Sequence, residues 1–299
     1  MTAPPQRGRR RLGRRHLAWP VAAFLGIACI LPVLLLVVFS GFEVDEDTFQ
    51  MVPALSGRAW AEFMRNPAYG SLIGKAVTYG LSTAALAALL GYPLALAVVR
   101  LPASWKGVAL IVLLTPLYTG DIVRVYAWRV MLGTEGLVNA VLLGLHIVDR
   151  PVQALLFTPF ATHLVLLYNT LPFMVLAIWV SAERIDRRLL EAARDLGARP
   201  LQAFARVTLP LTTPGLAAGA LAVFALSAGD LTTPSLLGGT SGATAMATID
   251  NLFGTAFDWP LAAVVALVLL AALLASAVAM AGAVLALGRG RAARPGRSP

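Results

Sequence analysis

Asp121, Arg124 and Asp230 are ionisable residues set in stretches of sequence that are otherwise almost wholly apolar. A charge carried into hydrocarbon is costly, so such residues face a cavity or a charged partner. Asp121 and Arg124, three apart, share a helical face and can pair with each other. Asp230 can attract a cation or serve as an ordinary interfacial carboxylate. Tyr118, Tyr126 and Trp128 lie close by in sequence, where aromatic rings either cage an ammonium group or anchor the chain at a membrane surface. Catalysis is not expected, because neither clustered histidines and carboxylates nor a nucleophile arrangement occurs. His16, His146 and His163 are too scattered to ligate a metal, and no cofactor motif is present. Cys29 has no partner for a disulfide and reads as a small apolar filler.

The elements that must hold these residues are dictated by composition. The chain has 299 residues, 58% of them hydrophobic and 13% charged, with a mean hydropathy of +0.77. That much apolar surface cannot be hidden inside a water-soluble globule, so the expected fold is an all-α integral membrane protein. A spanning helix needs roughly 20 apolar residues to cross about 30 Å of hydrocarbon. Six stretches qualify, at 17–41, 71–99, 107–132, 158–181, 214–231 and 260–287. Pro116 with Gly120 should kink or break the third, and Gly229 the end of the fifth, which a bilayer tolerates only where protein or a wet cavity meets the freed backbone groups.

Orientation follows from charge, because short loops rich in Lys and Arg stay in the cytoplasm. Most of the 24 basic residues fall on one side of this topology. They form a tail at 1–16, the pair Arg100 and Lys106, a group from Arg184 to Arg206, and a tail at 288–299. The acidic run Glu43, Asp45, Glu46 and Asp47 falls on the other side. Both termini are therefore expected in the cytoplasm, flanking a six-helix domain at 17–287. The N-terminal apolar segment is too long for a usual signal peptide and lacks an Ala-x-Ala site, so it reads as an anchor. The net charge of +9 sits in short loops beside apolar spans, which argues for a lipid bilayer and against nucleic acid as its partner.

One polar loop, 182–213, stands apart from this pattern. Asp186 can cap a short helix, Leu189, Ala193 and Leu196 recur on one of its faces, and Gly197 supplies a left-handed stop. Pro200 opens a second helix, and Pro210 and Pro214 mark the return to the membrane. A helix this short is marginal alone in water, so its apolar face needs a cover, for which another protein is the natural source. The alternative is a solvated, salt-bridged loop helix.

Glu191, Ala192, Ala193, Gly197, Val207, Leu209 and Pro210 are spaced as in the signature that this loop resembles, that of permease subunits of bacterial ATP-binding-cassette importers. The resemblance implies a type I permease fold and a loop that seats in a groove of a cytoplasmic ATPase, with Glu191 and Arg194 as rim contacts. "RVYAW" at 124–128, "GLVN" at 136–139, "LPFMVL" at 171–176 and "TPSLLGG" at 233–239 are similar to the spermidine/putrescine-type members of that group. Other members import ferric iron, small organic cations or phosphonates. The resemblance implies two ATPase subunits, a second permease that is usually a different chain, and an extracytoplasmic binding protein, all at the bacterial inner membrane. It also makes Asp230, Asp121, Arg124, Tyr126 and Trp128 candidates for the substrate pathway.

Two departures bear on cargo. Ser235 stands where polyamine-type relatives often carry aspartate, and Asp121 where a small polar residue is usual. No phosphate-binding loop is present: at Gly74-Lys75 the next residue is Ala76, and Tyr69 stands where the first glycine is required. ATP would have to be hydrolysed by the partner subunits. An ion-coupled carrier and a membrane enzyme are the competing classes, the first expected to carry ionisable residues nearer mid-membrane and the second a catalytic cluster. Gly215 and Gly219 form a Gly-x-x-x-Gly that serves either a subunit interface or packing within the chain.

Overall fold

Pairing every backbone N–H and C=O inside the chain is the condition for crossing hydrocarbon, and a helix meets it locally. The structure, a computed structural model, describes residues 14–45, 51–239 and 242–292. Most of the basic tails assigned to 1–16 and 288–299, with Glu46 and Asp47, lies outside the described residues.

The chain begins with α1 (Arg14–Phe39) and a hairpin of β1 (Glu43–Val44) against β2 (Met51–Val52), the one departure from an all-helical reading among the described residues. A short helix α2 (Arg58–Arg65) leads into the long α3 (Pro67–Arg100), which starts at a proline capped by the Asn66 side chain. Then follow α4 (Ala103–Tyr118), α5 (Asp121–Leu132), α6 (Leu137–Gly144) and α7 (Pro159–Glu183). The polar loop forms α8 (Arg187–Asp195), α9 (Pro200–Ala203) and a π turn at Phe204–Thr208 that runs directly into α10 (Leu209–Ala228). The chain closes with α11 (Thr232–Leu237), α12 (Ala245–Gly254) and α13 (Trp259–Ala292).

Among the described residues, four helical segments are long and apolar enough to cross a membrane: Pro67–Arg100, Pro159–Glu183, Pro200–Ala228 and Trp259–Ala286. The pair Ala103–Tyr118 and Asp121–Gly144 is apolar enough to cross only when taken together, and it is bent by 95°, as in a broken span or a re-entrant loop. The stretch expected as one span at 107–132 is therefore not a single helix. Thr119 and Gly120 are extended, just where Pro116 has removed a backbone donor from the preceding turn. The first stretch contributes the shorter apolar helix Ala23–Phe39. The expected 214–231 span is displaced, because Pro210 sits in the first turn of α10, Pro214 lies inside the helix, and Gly229 caps its end.

Helices α3, α7 and α10 pack on one another and form the centre. Met174, Val175 and Ile178 of α7 meet Ala84 and Ala87 of α3 and Val223 and Phe224 of α10 in one buried cluster. Gly215 and Gly219 set the approach of α10 to α7. A Cβ on Gly219 would lie 2.9 Å from Met174 Sδ and 3.2 Å from Ala177 Cβ, and one on Gly215 would strike Ser181. The Gly-x-x-x-Gly is thus a packing face within the chain. Helix α13 lies against α10, and α1 against α13 at the edge. Leu89, Ile111 and Val278 project outward with large exposed apolar surfaces, as lipid contact requires. Cys29 is likewise exposed on α1 and fills no interior gap.

Two polar residues are absorbed by packing. The ring nitrogens of His163 bond Ser82 Oγ and the Pro159 carbonyl, each at 2.7 Å, and its ring packs on Tyr79. Asn139, fully buried, donates to the carbonyls of Gly133 and Val152 and accepts from Val152 N–H at 2.8 Å. That staple gives the "GLVN" motif a structural meaning. The tightness of the α7–α10 contact has a measurable cost: Gly219→Leu should destabilise the chain by about 1–3 kcal/mol through overpacking. The readout is a lower Tm of the purified protein in detergent, and an unchanged Tm would show that the two helices do not touch there.

Candidate functional site

The break between α4 and α5 opens a cavity of about 390 Å³ beside the central helices. Its walls come from the α4–α5 junction (Leu117, Asp121, Arg124), from α7 (Asn169, Thr170, Phe173) and from the end of α10 with the start of α11 (Leu226, Gly229, Asp230, Leu231, Thr232). Sequence alone had no means of bringing Asp230 to the Asp121–Arg124 pair, more than a hundred residues away. The fold does so because α10 ends at Gly229 beside α7, while the bend turns α5 back against α7 and α11.

Each charged group is held differently. Asp121 and Arg124 form an ion pair at 3.4 Å within the first turn of α5. The guanidinium also donates to the Thr119 carbonyl at 3.4 Å, one of the acceptors freed by the break. Arg124 is 11% exposed against 48% for Asp121, and its Nε makes no hydrogen bond within the protein. Asp230 caps α11, its Oδ1 accepting from Thr233 N–H at 2.9 Å and its Oδ2 from the Thr233 hydroxyl at 2.8 Å. Two carboxylates against one guanidinium leave the lining one negative charge, so the cavity favours a cation.

The aromatic candidates lie outside this lining. Tyr118 is 85% exposed and Tyr126 about half exposed. Trp128 stacks edge-on with Tyr168 at 5.3 Å and packs on the Val125 cluster. The three rings do not meet as a cage. Sequence reasoning passed over Asn169, whose signal was a carboxamide inside an otherwise apolar span.

The second candidate region is the α8–α9 elbow. Asp186 caps α8, its Oδ1 accepting from Arg188 N–H at 2.9 Å. Gly197 ends the helix at φ +77°. There Gly197 N–H donates to the Arg194 carbonyl and Ala198 N–H to the Ala193 carbonyl, the paired bonds of a Schellman stop. Pro200 restarts the chain, and the Gln202 side chain accepts from Arg199 N–H at 3.0 Å. Glu191, Ala192 and Arg194 are exposed and Ala193 half-buried. Val207, Leu209 and Pro210 are half-buried where the π turn passes into α10. Leu196 and Leu201 point outward, 88% and 76% exposed, and find no cover in this chain, whereas Ala203 is buried. Behind the elbow lies a cavity of about 550 Å³ reached by Glu183, Glu191, Arg194 and Phe204. Lys106 pairs with Glu183 at 2.6 Å, tying the start of α4 to the end of α7 beside the elbow.

The elbow and the charged cavity stand on a bundle of apolar helices, and comparison with known proteins assigns that bundle to a family. Residues 101–287 match the model of the binding-protein-dependent transport system inner membrane component family. The chain belongs to this family. It is therefore a multi-pass inner-membrane component of a transporter and not an enzyme. The spermidine/putrescine transport system permease protein PotB of Salmonella typhimurium is 35% identical over 204 residues, covering 68% of this chain and 70% of that protein. PotB of Escherichia coli is equally identical over 73% of its length. The inner membrane ABC transporter permease protein YdcU of Escherichia coli is 33% identical, over 64% of each chain. A bacterial ABC transporter that imports alginate has the same fold, with a TM-score of 0.65, covering 92% of this chain and 95% of that one at 16% identity.

The two roles of Asp230, cap and charge, can be separated. Asp230→Ala should lower stability by about 1 kcal/mol through loss of the cap. Asp230→Asn keeps an acceptor for Thr233 N–H and should stay within a few tenths of a kcal/mol of the parent. Thermal unfolding in detergent reads the difference, and equal Tm values for the two variants would remove the capping role.

Proposed function

We propose that the chain is one of two permease subunits of an ATP-driven importer of polyamines such as spermidine and putrescine. In this reading it crosses the inner membrane six times, with α1 as the first crossing and the bent α4–α5 pair as the third, and has both termini in the cytoplasm. Its partners are two ATPase subunits, a second permease that is a different chain, and an extracytoplasmic protein that delivers the cargo. No nucleic acid takes part, and the chain itself holds neither cofactor nor metal.

The observation that carries this reading is the elbow. Leu196 and Leu201 are exposed on a rigid turn fixed by the Gly197 stop. An apolar knob on a short capped helix is what a groove in a foreign protein can cover, and Glu191 and Arg194 stand at its rim. Val207, Leu209 and Pro210 join that knob to α10, so a force applied to the elbow enters the membrane along one continuous helix. Closure of the two ATPases on nucleotide would draw the two elbows together and open the outer side to the docked binding protein, and hydrolysis would reset it. Cargo identity is supported by the PotB relatives, which are spermidine/putrescine transport system permease proteins. The excess negative charge of the cavity points the same way, with Asp230, Asp121 and Arg124 on the path. Tyr126 and Trp128, more peripheral, would flank the entry.

Coupling is tested at two residues. Gly197→Val forces a β-branched residue into a left-handed conformation, and Glu191→Lys reverses a rim charge. Both should cut polyamine uptake by roughly tenfold or more, the effect of losing one good interface contact. The ATPase should no longer co-purify, while the chain still reaches the membrane. Wild-type uptake by both variants would refute the coupling role. Asp230→Asn should impair uptake while the ATPase still co-purifies.

A further inference from the structure

The cavity at the α4–α5 break contains a carboxamide that the chain itself does not use. Asn169 is 8% exposed, lies in α7 beside Asp230, Asp121 and Arg124 on the cavity wall, and makes no hydrogen bond within the protein through either Oδ1 or Nδ2. Its neighbour Thr170 has no such deficit, because its hydroxyl donates to the Leu166 carbonyl at 2.7 Å. A buried amide without partners costs stability, whereas a leucine of similar shape would occupy the same place without that cost. Packing therefore does not explain a polar residue here.

The surrounding groups show what would satisfy it: a cationic donor for Oδ1, and for the Nδ2–H groups a carboxylate of the same lining. The carboxylates of Asp121 and Asp230 are only partly engaged, by Arg124 and Thr233 respectively, and a carboxylate can accept about four hydrogen bonds. With Asn169 they give the lining three groups that carry acceptor oxygens, one each on α5, α7 and the α10–α11 turn, and because Asn169 Oδ1 has almost no accessible surface its side chain must turn to meet a ligand. An alkylammonium group presents three donors and one positive charge, and the lining carries one uncompensated negative charge. Leu117, Phe173 and Leu226 supply apolar walls for a methylene chain. The volume of about 390 Å³ falls in the range of small-molecule sites, roughly 300–1,000 Å³.

We propose that Asn169 is a specificity-determining residue that accepts a hydrogen bond from one primary ammonium group of the cargo, with Asp121 and Asp230 supplying the balancing charge. This rests on the polyamine-importer reading and adds to it both a residue and a count. The cavity neutralises one ammonium at a time, so a diamine is read here by one end.

The test is uptake of radiolabelled putrescine by cells carrying the complete transporter, with membrane levels and ATPase co-purification measured in parallel. Asn169→Leu should reduce uptake roughly tenfold, the loss expected for one hydrogen bond to a charged group, at normal membrane level and with the ATPase retained. Asn169→Asp, which keeps the acceptor and adds negative charge, should import better than Asn169→Leu. A packing role predicts the opposite order, because leucine fits without a polar penalty and aspartate buries an extra charge. Wild-type uptake by Asn169→Leu, or uptake by Asn169→Asp below that of Asn169→Leu, overturns the role of Asn169 and leaves the importer reading standing. Failure of the wild-type transporter to import putrescine overturns both.

Discussion

Backbone polar groups freed inside a membrane must be paired by protein or by a wet cavity, and the break between Tyr118 and Asp121 is where this chain meets that constraint. Pro116 removes a donor, Thr119 and Gly120 run extended, and the following helix turns away by 95°. The Thr119 carbonyl finds a partner in Arg124, and Arg124 in turn is compensated by Asp121. An unbroken third helix would leave neither a reason for that ion pair nor space for Asp230 to face it. The polarity of the cavity and the irregularity of the backbone are thus one feature. A guanidinium at the break satisfies a loose carbonyl, a carboxylate balances its charge, and Asp230 adds further acceptor oxygens to the same lining.

The cavity also depends on rigidity elsewhere. Helices α3, α7 and α10 approach closely because alanine and glycine line their contacts, with Gly219 admitting Met174 to van der Waals range. Association in lipid draws on packing and not on water expulsion, so small residues at the interface are what holds such a bundle together. Helix α4 is joined to the centre more lightly, through limited contact with α7 and α3 and the Lys106–Glu183 pair. The wall carrying Asn169 and Asp230 is therefore firm, α5 is pinned to it through Val125, Leu132, Val165 and Leu237, and only α4, with Leu117, is held lightly.

Much of this was legible in sequence, for identifiable reasons. Apolar runs longer than a bilayer is thick announce helices whatever their partners, which is why the stretches at 71–99, 158–181 and 260–287 emerged as α3, α7 and α13. Asp186, Gly197 and Pro200 fix the elbow by local backbone chemistry, and local chemistry is written in consecutive residues. The start of α10 was misplaced because Pro214 reads as a helix boundary, whereas the π turn at Phe204–Thr208 carries the helix in from Pro200 and leaves Pro214 inside it. The cavity was legible only in pieces. Asp121, Arg124 and Asp230 stood out as charges in apolar surroundings, but their convergence depends on how α10 and α5 seat against α7. Asn169 carried no charge to draw notice, and Tyr126 and Trp128, adjacent in sequence to the ion pair, point to other surroundings.

Helix α10 joins the two regions. Its 20 residues make a rod of about 30 Å at 1.5 Å per residue, with the elbow attached at one end through the π turn and Asp230 just beyond the other. A rod packed this tightly against α7 cannot slide along it without losing the Gly219 contact, so displacement of the elbow has to move α7 and α10 as a unit. Asn169 and Asp230 both ride on that unit, and α5, with Asp121 and Arg124, is pinned to it through Val125, Leu132, Val165 and Leu237. On the importer reading, motion imposed at the elbow carries the whole charge set with it and shifts it against the lightly held α4. On that reading, tight packing around the charge set and the lighter hold on α4 are what would let a single cavity hold a cation in one arrangement and release it in the next.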